Sequence, residues 1–357
     1  MPEETELILN VFKVFGLAAL AFFFAAAWTP LLTHLLYKYR LWRKAVRTTA
    51  PDGAGTPIFA ALHKEREVGT PRMGGLLIWL TTFVVIYAFW VLSRLTDSSL
   101  LDKLNFLSRN QTWLPLFTLV SASLLGLIDD FLQVLGRGTY VAGGLKFRVR
   151  AGIVLLIALA GAYWFYVRLE QNSIYIPGFG DVAIGLWFVP LFVITMLATF
   201  STAVTDGLDG LAGGVFATIF AAYGGIAFFR GQIDLAAFSA VLLGALLAFL
   251  WFNIPPARFY MGETGILGLT TTLTVIAFLT NSVIVLPIIA VVPAVEAASV
   301  IVQLLSKRWR GQKVFLVAPL HHHFEAMGWP AYKVTMRFWV ISVVFAIVGM
   351  TVALIGR

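Results

Sequence analysis

Cysteine is absent from the 357-residue chain, which excludes disulfides and thiolate chemistry. Charge is scarce as well. Only 12% of the residues are Asp, Glu, Lys or Arg, where a soluble domain carries about one-quarter. The N-terminus, "MPEETELILNVFK", is acidic and lacks the basic start of a signal peptide, so no cleaved leader is expected. What fills the chain instead is apolar: 59% of residues, in long runs that recur from end to end. Such runs describe a polytopic membrane protein rather than a soluble domain with one anchor. The net charge of +8 suits anionic lipid headgroups or a phosphorylated substrate. Burial in a membrane makes nucleic acid the poorest partner, and none is expected.

A helix needs about 20 mostly apolar residues to cross the ~30 Å hydrocarbon core. Ten segments qualify: 8–36, 73–93, 113–135, 151–168, 184–202, 211–229, 236–253, 264–281, 283–306 and 335–355. Proline or glycine at Pro30, Gly161, Pro190, Pro287 and Pro293 is tolerated inside such helices. Only "TNS" separates the two halves of 264–306. The expected fold is therefore all-α and polytopic, a single integral membrane domain over 1–357. Lysine and arginine orient it. Loop 37–72 holds eight, loop 136–150 four and loop 307–334 five, and loop 254–263 adds Arg258. All follow odd-numbered spans and so share one side, expected to be cytoplasmic, with both termini outside. On the opposite side "QNSIYIPGFGDVA" alternates apolar and polar residues around "PGFG" and predicts a short extracytoplasmic β-hairpin over 171–183. The stretch "GTYVAGGLKFRVR" is a second candidate hairpin.

The polar residues that interrupt this pattern gather on the basic side. "LLGLIDDFLQVLG" carries Asp129 and Asp130 at the inner end of the third span. "STAVTDGLDGLAGG" carries Asp206 and Asp209 in loop 203–210. "WFNIPPARFYMGETGILG" carries Asn253, Tyr260 and Glu263 around loop 254–263, and "VAPLHHHFEAMGWP" carries His321, His322 and His323. "HKEREVGTPRMGG" adds His63 and Lys64 before the second span. Each cluster has an ordinary structural reading. The Asp pair can be salt-bridged to Arg148 or Arg150. Asp206 and Asp209 share a face if helical, and Thr205 or Asp206 suits an N-cap. Glu263 can cap the eighth span, "GTPRMGG" can be only a turn, and a triple histidine can be an accident of a loop. Independent accidents, however, would be spread over both sides of the membrane. Carboxylates without cysteine suit a hard cation, and Mg²⁺ is commonly held by one or two of them plus substrate phosphates. Lysines and arginines suit phosphate anions, and Tyr260 offers a face for a base. Together they indicate Mg²⁺-assisted phosphoryl transfer at the cytoplasmic surface, between a nucleotide and a lipid.

These residues carry a resemblance. From "GTPRMGG" through "IDD", "TDGLDGLA", "FNIPPARFYMGETG" and "APLHHHFE" to "RFWVISVV", nearly the whole chain resembles the phospho-N-acetylmuramoyl-pentapeptide transferases, of the polyprenyl-phosphate N-acetylhexosamine-1-phosphate transferase superfamily. "TDGLDGLA" marks the superfamily, and "PLHHHFE" after "GQKVF" the muramoyl-pentapeptide branch. The resemblance implies ten membrane helices, a homodimer in the bacterial inner membrane and a cytoplasmic cleft. It implies Mg²⁺-dependent transfer of phospho-MurNAc-pentapeptide from UDP-MurNAc-pentapeptide to undecaprenyl phosphate, giving lipid I and UMP in peptidoglycan synthesis, beside other cell-wall enzymes. By position it implies catalytic roles for Asp129, Asp130 and Asp206, one of the pair deprotonating the lipid phosphate, and metal binding by Asp206 and Glu263. Substrate contacts are implied for Asp209, Asn253, Tyr260, Gln303, His321, His322 and His323, and the loop cations Lys64, Lys146 and Arg148 are further candidates for the substrate.

Three positions depart from the family pattern. Its "DDxxK" lysine is Gln133 here, an asparagine of "NAVNLTDGLDG" is Ala203, and the aspartate of "MGDTGS" is Glu263. Lys146 or Arg148 is the expected replacement for the lost cation. The competing readings are a related transferase of GlcNAc-1-phosphate, a lipid or ion transporter using the carboxylates as ligands, and an inactive scaffold. The "HHHFE" loop opposes the first. The gathering of charge at one surface, rather than at the midplane, opposes the second.

Overall fold

The computed structural model describes residues 2–44, 68–108, 110–138 and 143–355. Lys64 lies outside the described residues. The chain is a multi-pass helical membrane protein, with one small antiparallel sheet among the described residues. In order, it forms α1 (Pro2–Lys38), α2 (Leu76–Leu95), a short α3 (Ser99–Leu104), α4 (Trp113–Val134) and α5 (Phe147–Tyr163), which ends in a π turn. After the hairpin β1 (Ser173–Ile176) and β2 (Gly180–Ala183) come α6 (Phe188–Ser201), α7 (Leu211–Phe229), α8 (Ile233–Asn253) and α9 (Glu263–Leu279). The last elements are α10 (Leu286–Ile289), α11 (Val291–Arg310), α12 (Leu320–Ala326) and α13 (Ala331–Ile355).

Among the described residues, eight helices are long and apolar enough to cross a membrane. The apolar stretches of α7 and α8 are 72% buried and that of α1 only 22%, so α7 and α8 are central and α1 faces its surroundings. α1 packs on α8, α8 on α7, and α7 on α13. Helix α9 has 17 residues, about 25 Å at 1.5 Å per residue. It is short of a full span but is enclosed by α4 and α6, with nearly every side chain buried. Phe278 near its end meets Phe188 and Phe192 at ring-centroid distances of 5.2 and 4.9 Å.

The structure departs from the expected pattern at one span. The segment expected as one helix over 283–306 is broken, with α10 and α11 inclined by 82°. Pro293 lacks an N–H, and its ring excludes the carbonyl four residues back, that of Ile289. The break falls between them, at Ala290. Residues 139–142 of the second candidate hairpin lie outside the described residues; of the rest, Gly138 and Gly144 share an isolated parallel bridge, and Phe147–Arg150 forms the first turn of α5. The hairpin expected over 171–183 is present, with Ser173 opposite Ala183 and Ile176 opposite Gly180. "TNS" proves to be a built connector. The side-chain oxygen of Asn281 accepts from Tyr175 N–H at 3.0 Å and its amide donates to Asp181 at 3.0 Å, tying the hairpin to the α9 end.

Glycine sets how closely α4 and α9 approach. A side-chain carbon at Gly126 would overlap the Glu263 carbonyl, so this contact requires hydrogen at that position. Gly126→Ala should therefore lower stability by about 1–3 kcal/mol, the usual cost of overpacking. Gly152→Ala on the exposed face of α5, with nothing near the added carbon, should leave it unchanged or raised. Thermal unfolding in detergent compares the two, and equal midpoints would refute the packing argument.

Candidate active site

The acidic segments meet at one end of the bundle because each stands at a helix terminus there. Asp129 and Asp130 lie in the last turns of α4, and both are fully buried. Ionised carboxylates in such a place need partners, and four elements supply them. Asp129 accepts hydrogen bonds from the Gln133 amide at 2.8 Å, from the Leu145 backbone N–H and from the Arg150 guanidinium at 3.3 Å. Asp130 accepts from Thr264 N–H at 2.9 Å and faces the Arg72 guanidinium at 3.4 Å. Arg150 also reaches Glu263 at 2.7 Å, so one cation bridges α4, α5 and the start of α9.

Glu263 opens α9, where a carboxylate is favoured by the helix dipole. Its neighbour Gly262 has φ 73°, and a side-chain carbon there would sit 2.5 Å from the Asp130 carboxylate. Only glycine satisfies both conditions. Gly262 N–H donates at 3.1 Å to Asp206. Asp206 and Asp209 are not helical. They lie in the turn between a 3-10 segment and α7, with Gly210 at the N-cap position. The turn is pinned by Asn253, whose side-chain oxygen accepts from Gly210 N–H at 2.9 Å while its amide donates to the Phe259 carbonyl at 2.8 Å. Asp209 accepts from Ala257 N–H at 3.1 Å, and Trp339 of α13 donates to the Gly210 carbonyl at 3.1 Å. The Tyr260 carbonyl takes Gly74 N–H at 2.8 Å, which stitches the start of α2 to this loop and sets Arg72 beside Asp130.

The remaining expected residues fall in two groups. Gln303 is buried, and its amide is engaged by the backbone of Val314 and Phe315 at 2.9–3.0 Å. It holds loop 312–316 in place. His321, His322 and His323 form the first turns of α12, with His321 pressed against Gly207. Lys146 and Arg148 are exposed on the first turn of α5. The cation beside Gln133 is instead Arg43, which is buried and donates from its guanidinium to the Gln133 carbonyl oxygen. Sequence reasoning passed over Arg43, Arg72, Thr264 and Glu296. Arg150 had a visible signal, since its loop follows the Asp pair and it was one of the two cations weighed as that pair's partner.

Burial pushes the carboxyl of Asp206 up to about 7. The Arg72 guanidinium opposes that rise, and the carboxylates of Glu263 and Asp130 add to it. Negative charge is thus in excess at this point. Among the described residues no three acidic or imidazole side chains converge at metal-ligand spacing. The oxygen-only pair Asp206 and Glu263 still fits Mg²⁺, which takes one or two carboxylates and completes its shell from water and phosphate.

Comparison with known proteins agrees with the motifs. The family described as "Glycosyl transferase family 4" matches residues 112–281. The chain is 36% identical over 338 residues to a phospho-N-acetylmuramoyl-pentapeptide-transferase of Anoxybacillus flavithermus, covering 93% of this chain and 95% of that protein. It is 35% identical over 363 residues to the protein of that name from Chloroflexus aggregans, covering 98% and 92%. For the one from Pelagibacter ubique the figures are 34% over 365 residues, 96% and 94%.

The raised carboxyl of Asp206 makes a stability prediction. A folded-state value above the unfolded one favours folding at low pH, and that advantage is lost as pH rises through about 7. Without divalent metal, Asp206→Asn should unfold at a higher temperature than the parent at pH 8 and at a similar one at pH 4. The check is thermal unfolding in detergent with a chelator. A variant less stable than the parent at pH 8 would contradict the argument.

Proposed function

The chain belongs to the phospho-N-acetylmuramoyl-pentapeptide transferases, and from that premise we infer that it transfers phospho-MurNAc-pentapeptide from UDP-MurNAc-pentapeptide to undecaprenyl phosphate, releasing UMP and forming lipid I. It is a phosphoglycosyl transferase of peptidoglycan synthesis. The reading of its site rests above all on the convergence of Asp129, Asp130, Asp206 and Glu263 with Arg72 and Arg150 at one end of the bundle.

The fold is read as ten spans: the eight long helices, the broken pair α10–α11, and α9 inside the bundle. The acidic end faces the cytoplasm of a bacterial inner membrane, where the basic loops lie, and both termini are outside. The whole is a single membrane domain whose active-site loops are 37–72, 136–150, 203–210, 254–263 and 307–334.

In this reading the donor's diphosphate competes for the guanidinium hydrogens of Arg150 and Arg72, since charge-assisted pairs of arginine with phosphate are strong. Arg150 leaving Asp129 frees that carboxylate to take the proton of the acceptor phosphate, while Gln133 and Leu145 keep it oriented. The acceptor oxygen then attacks the sugar-linked phosphorus directly, and UMP departs. Asp206 and Glu263 would hold Mg²⁺, which neutralises phosphate charge when bound. Asp209, Asn253 and Tyr260 serve the nucleoside, and Gln303 orders the loop beside the histidines. Lys64, Lys146 and Arg148 are cations for the arriving donor.

Purified protein with UDP-MurNAc-pentapeptide, undecaprenyl phosphate and Mg²⁺ should release UMP and form a lipid-linked product without any membrane gradient. UDP-GlcNAc should not replace the donor, and excess chelator should stop turnover. Asp206→Asn and Asp129→Asn should each lower the rate by at least about 100-fold, the low end for an acid–base group, while unfolding as cooperatively as the parent. Parental rates in either variant would remove the role given to it.

A further inference from the structure

Glu296 has no part in the mechanism above, yet it is the one acidic residue of α11 and is buried. It lies between Val295 and Ala297 and is 1% exposed. A carboxylate in such surroundings is strongly destabilising unless it is paired and hydrogen-bonded. Its partner is His321, itself 0% exposed. His321 gives Glu296 its backbone N–H at 3.1 Å and places ring Nδ1 at 3.0 Å from the second carboxylate oxygen. Both oxygens are thereby spent on one residue.

The other ring nitrogen is the informative one. Nε2 of His321 is buried and has no hydrogen-bond partner among the described residues, an uncommon condition for a buried polar atom. It lies against Gly207, where a side-chain carbon would overlap it. Gly207 follows Asp206 and belongs to the same turn as Asp209. The neighbouring histidines are employed differently. His322 Nδ1 is 2.7 Å from Glu325 on its own helix, and His323 Nδ1 accepts from Leu316 N–H at 3.2 Å.

We propose that Glu296 is a positioning residue for the donor substrate: it engages Nδ1 of His321 and thereby presents Nε2 to the UDP-linked sugar at the Asp206–Asp209 turn. Which ring nitrogen a ligand meets is set by the bond the other one makes. With Nδ1–H committed to the carboxylate, a neutral ring accepts at Nε2 and a charged one donates there. The absence of a side chain at residue 207 admits the ring to the turn. This assignment rests on reading the turn as part of the donor pocket.

The test is steady-state kinetics on Glu296→Ala, Glu296→Gln, His321→Ala and the double variant Glu296→Ala/His321→Ala, with nitrogen-15 spectra of the parent and of Glu296→Ala. Glu296→Ala should raise the donor KM by roughly 10-fold, the lower range for removing an orienting partner of a site histidine, and leave the undecaprenyl phosphate KM unchanged. Glu296→Gln, which keeps one acceptor oxygen, should fall between it and the parent, and it decides the matter if Glu296→Ala does not fold. The double variant should be no worse than His321→Ala, because the two act as one unit. The parent spectrum should show Nδ1 of His321 protonated, and Glu296→Ala should lose that signature. An unchanged donor KM, a fall in kcat with both KM values intact, additive losses, or a parent ring protonated only at Nε2 would each overturn the proposal. A parent that makes no lipid product at all would instead refute the functional reading, and the spectra would still report on the dyad.

Discussion

A carboxylate enclosed at the end of a membrane bundle must be answered by a cation or by backbone N–H groups, and the site is organised around that requirement. Arg150 answers it twice, at 3.3 Å to Asp129 and 2.7 Å to Glu263. Because its two partners belong to α4 and α9, the guanidinium also fixes how those helices end relative to α5. Arg72 does the same from the start of α2 toward Asp130. These are buried ion pairs, whose desolvation offsets much of their attraction. Their value to this protein therefore lies in placement more than in stability. Asp206 is where compensation is incomplete, as its raised carboxyl records.

Much of the architecture could be read from the residues, because a membrane imposes a strong rule: apolar runs of about 20 must be helices. The positions of α1, α2, α4, α7, α8 and α13 follow from it, and the 173–183 hairpin from its alternating pattern around Pro177 and Gly178. The break at Ala290 did not follow, since prolines inside spans are common and only the packing of neighbours decides whether one bends the chain. The acidic positions were legible as motifs. Of their partners, Arg150 was legible as one of two candidate cations for the Asp pair, whereas Arg72 looks like any other basic residue of a loop until the helix ends converge. Glu296 was overlooked for a related reason. A single carboxylate in a long apolar run is visible, but its partner 25 residues later can be matched to it only in three dimensions.

Close approach between backbones carries the rest of the geometry. Gly126 lets α4 lie against the Glu263 carbonyl, and Gly75 meets Gly265 where α2 crosses α9. In a bilayer, small residues at helix contacts permit such distances where lipid gives no hydrophobic reason to associate. The outcome here is that the start of α9 is drawn into the centre of the acidic end. That is what brings Gly262 N–H to Asp206 and Thr264 N–H to Asp130. The shortness of α9 belongs to the same arrangement: a helix that begins at the site and is wrapped by protein need not match the membrane's thickness.

The departures from the family pattern are best understood together. Gln133 cannot supply the charge of a lysine, but its amide can face both ways. It donates to Asp129 and accepts from Arg43, so a cation from the loop after α1 acts on the Asp pair through one intermediate. Lys146 and Arg148, nearer in sequence, stay on the surface because the first turn of α5 directs Arg150 inward instead. Glu263 lengthens an acidic side chain by one methylene, and it meets Arg150 at 2.7 Å. Arg43 and Arg150 thus stand on either side of Asp129, one through Gln133 and one directly. Changes at 133 and 263 leave the acidic end with partners on both flanks, which is why a chain missing these family residues still assembles the acidic cluster.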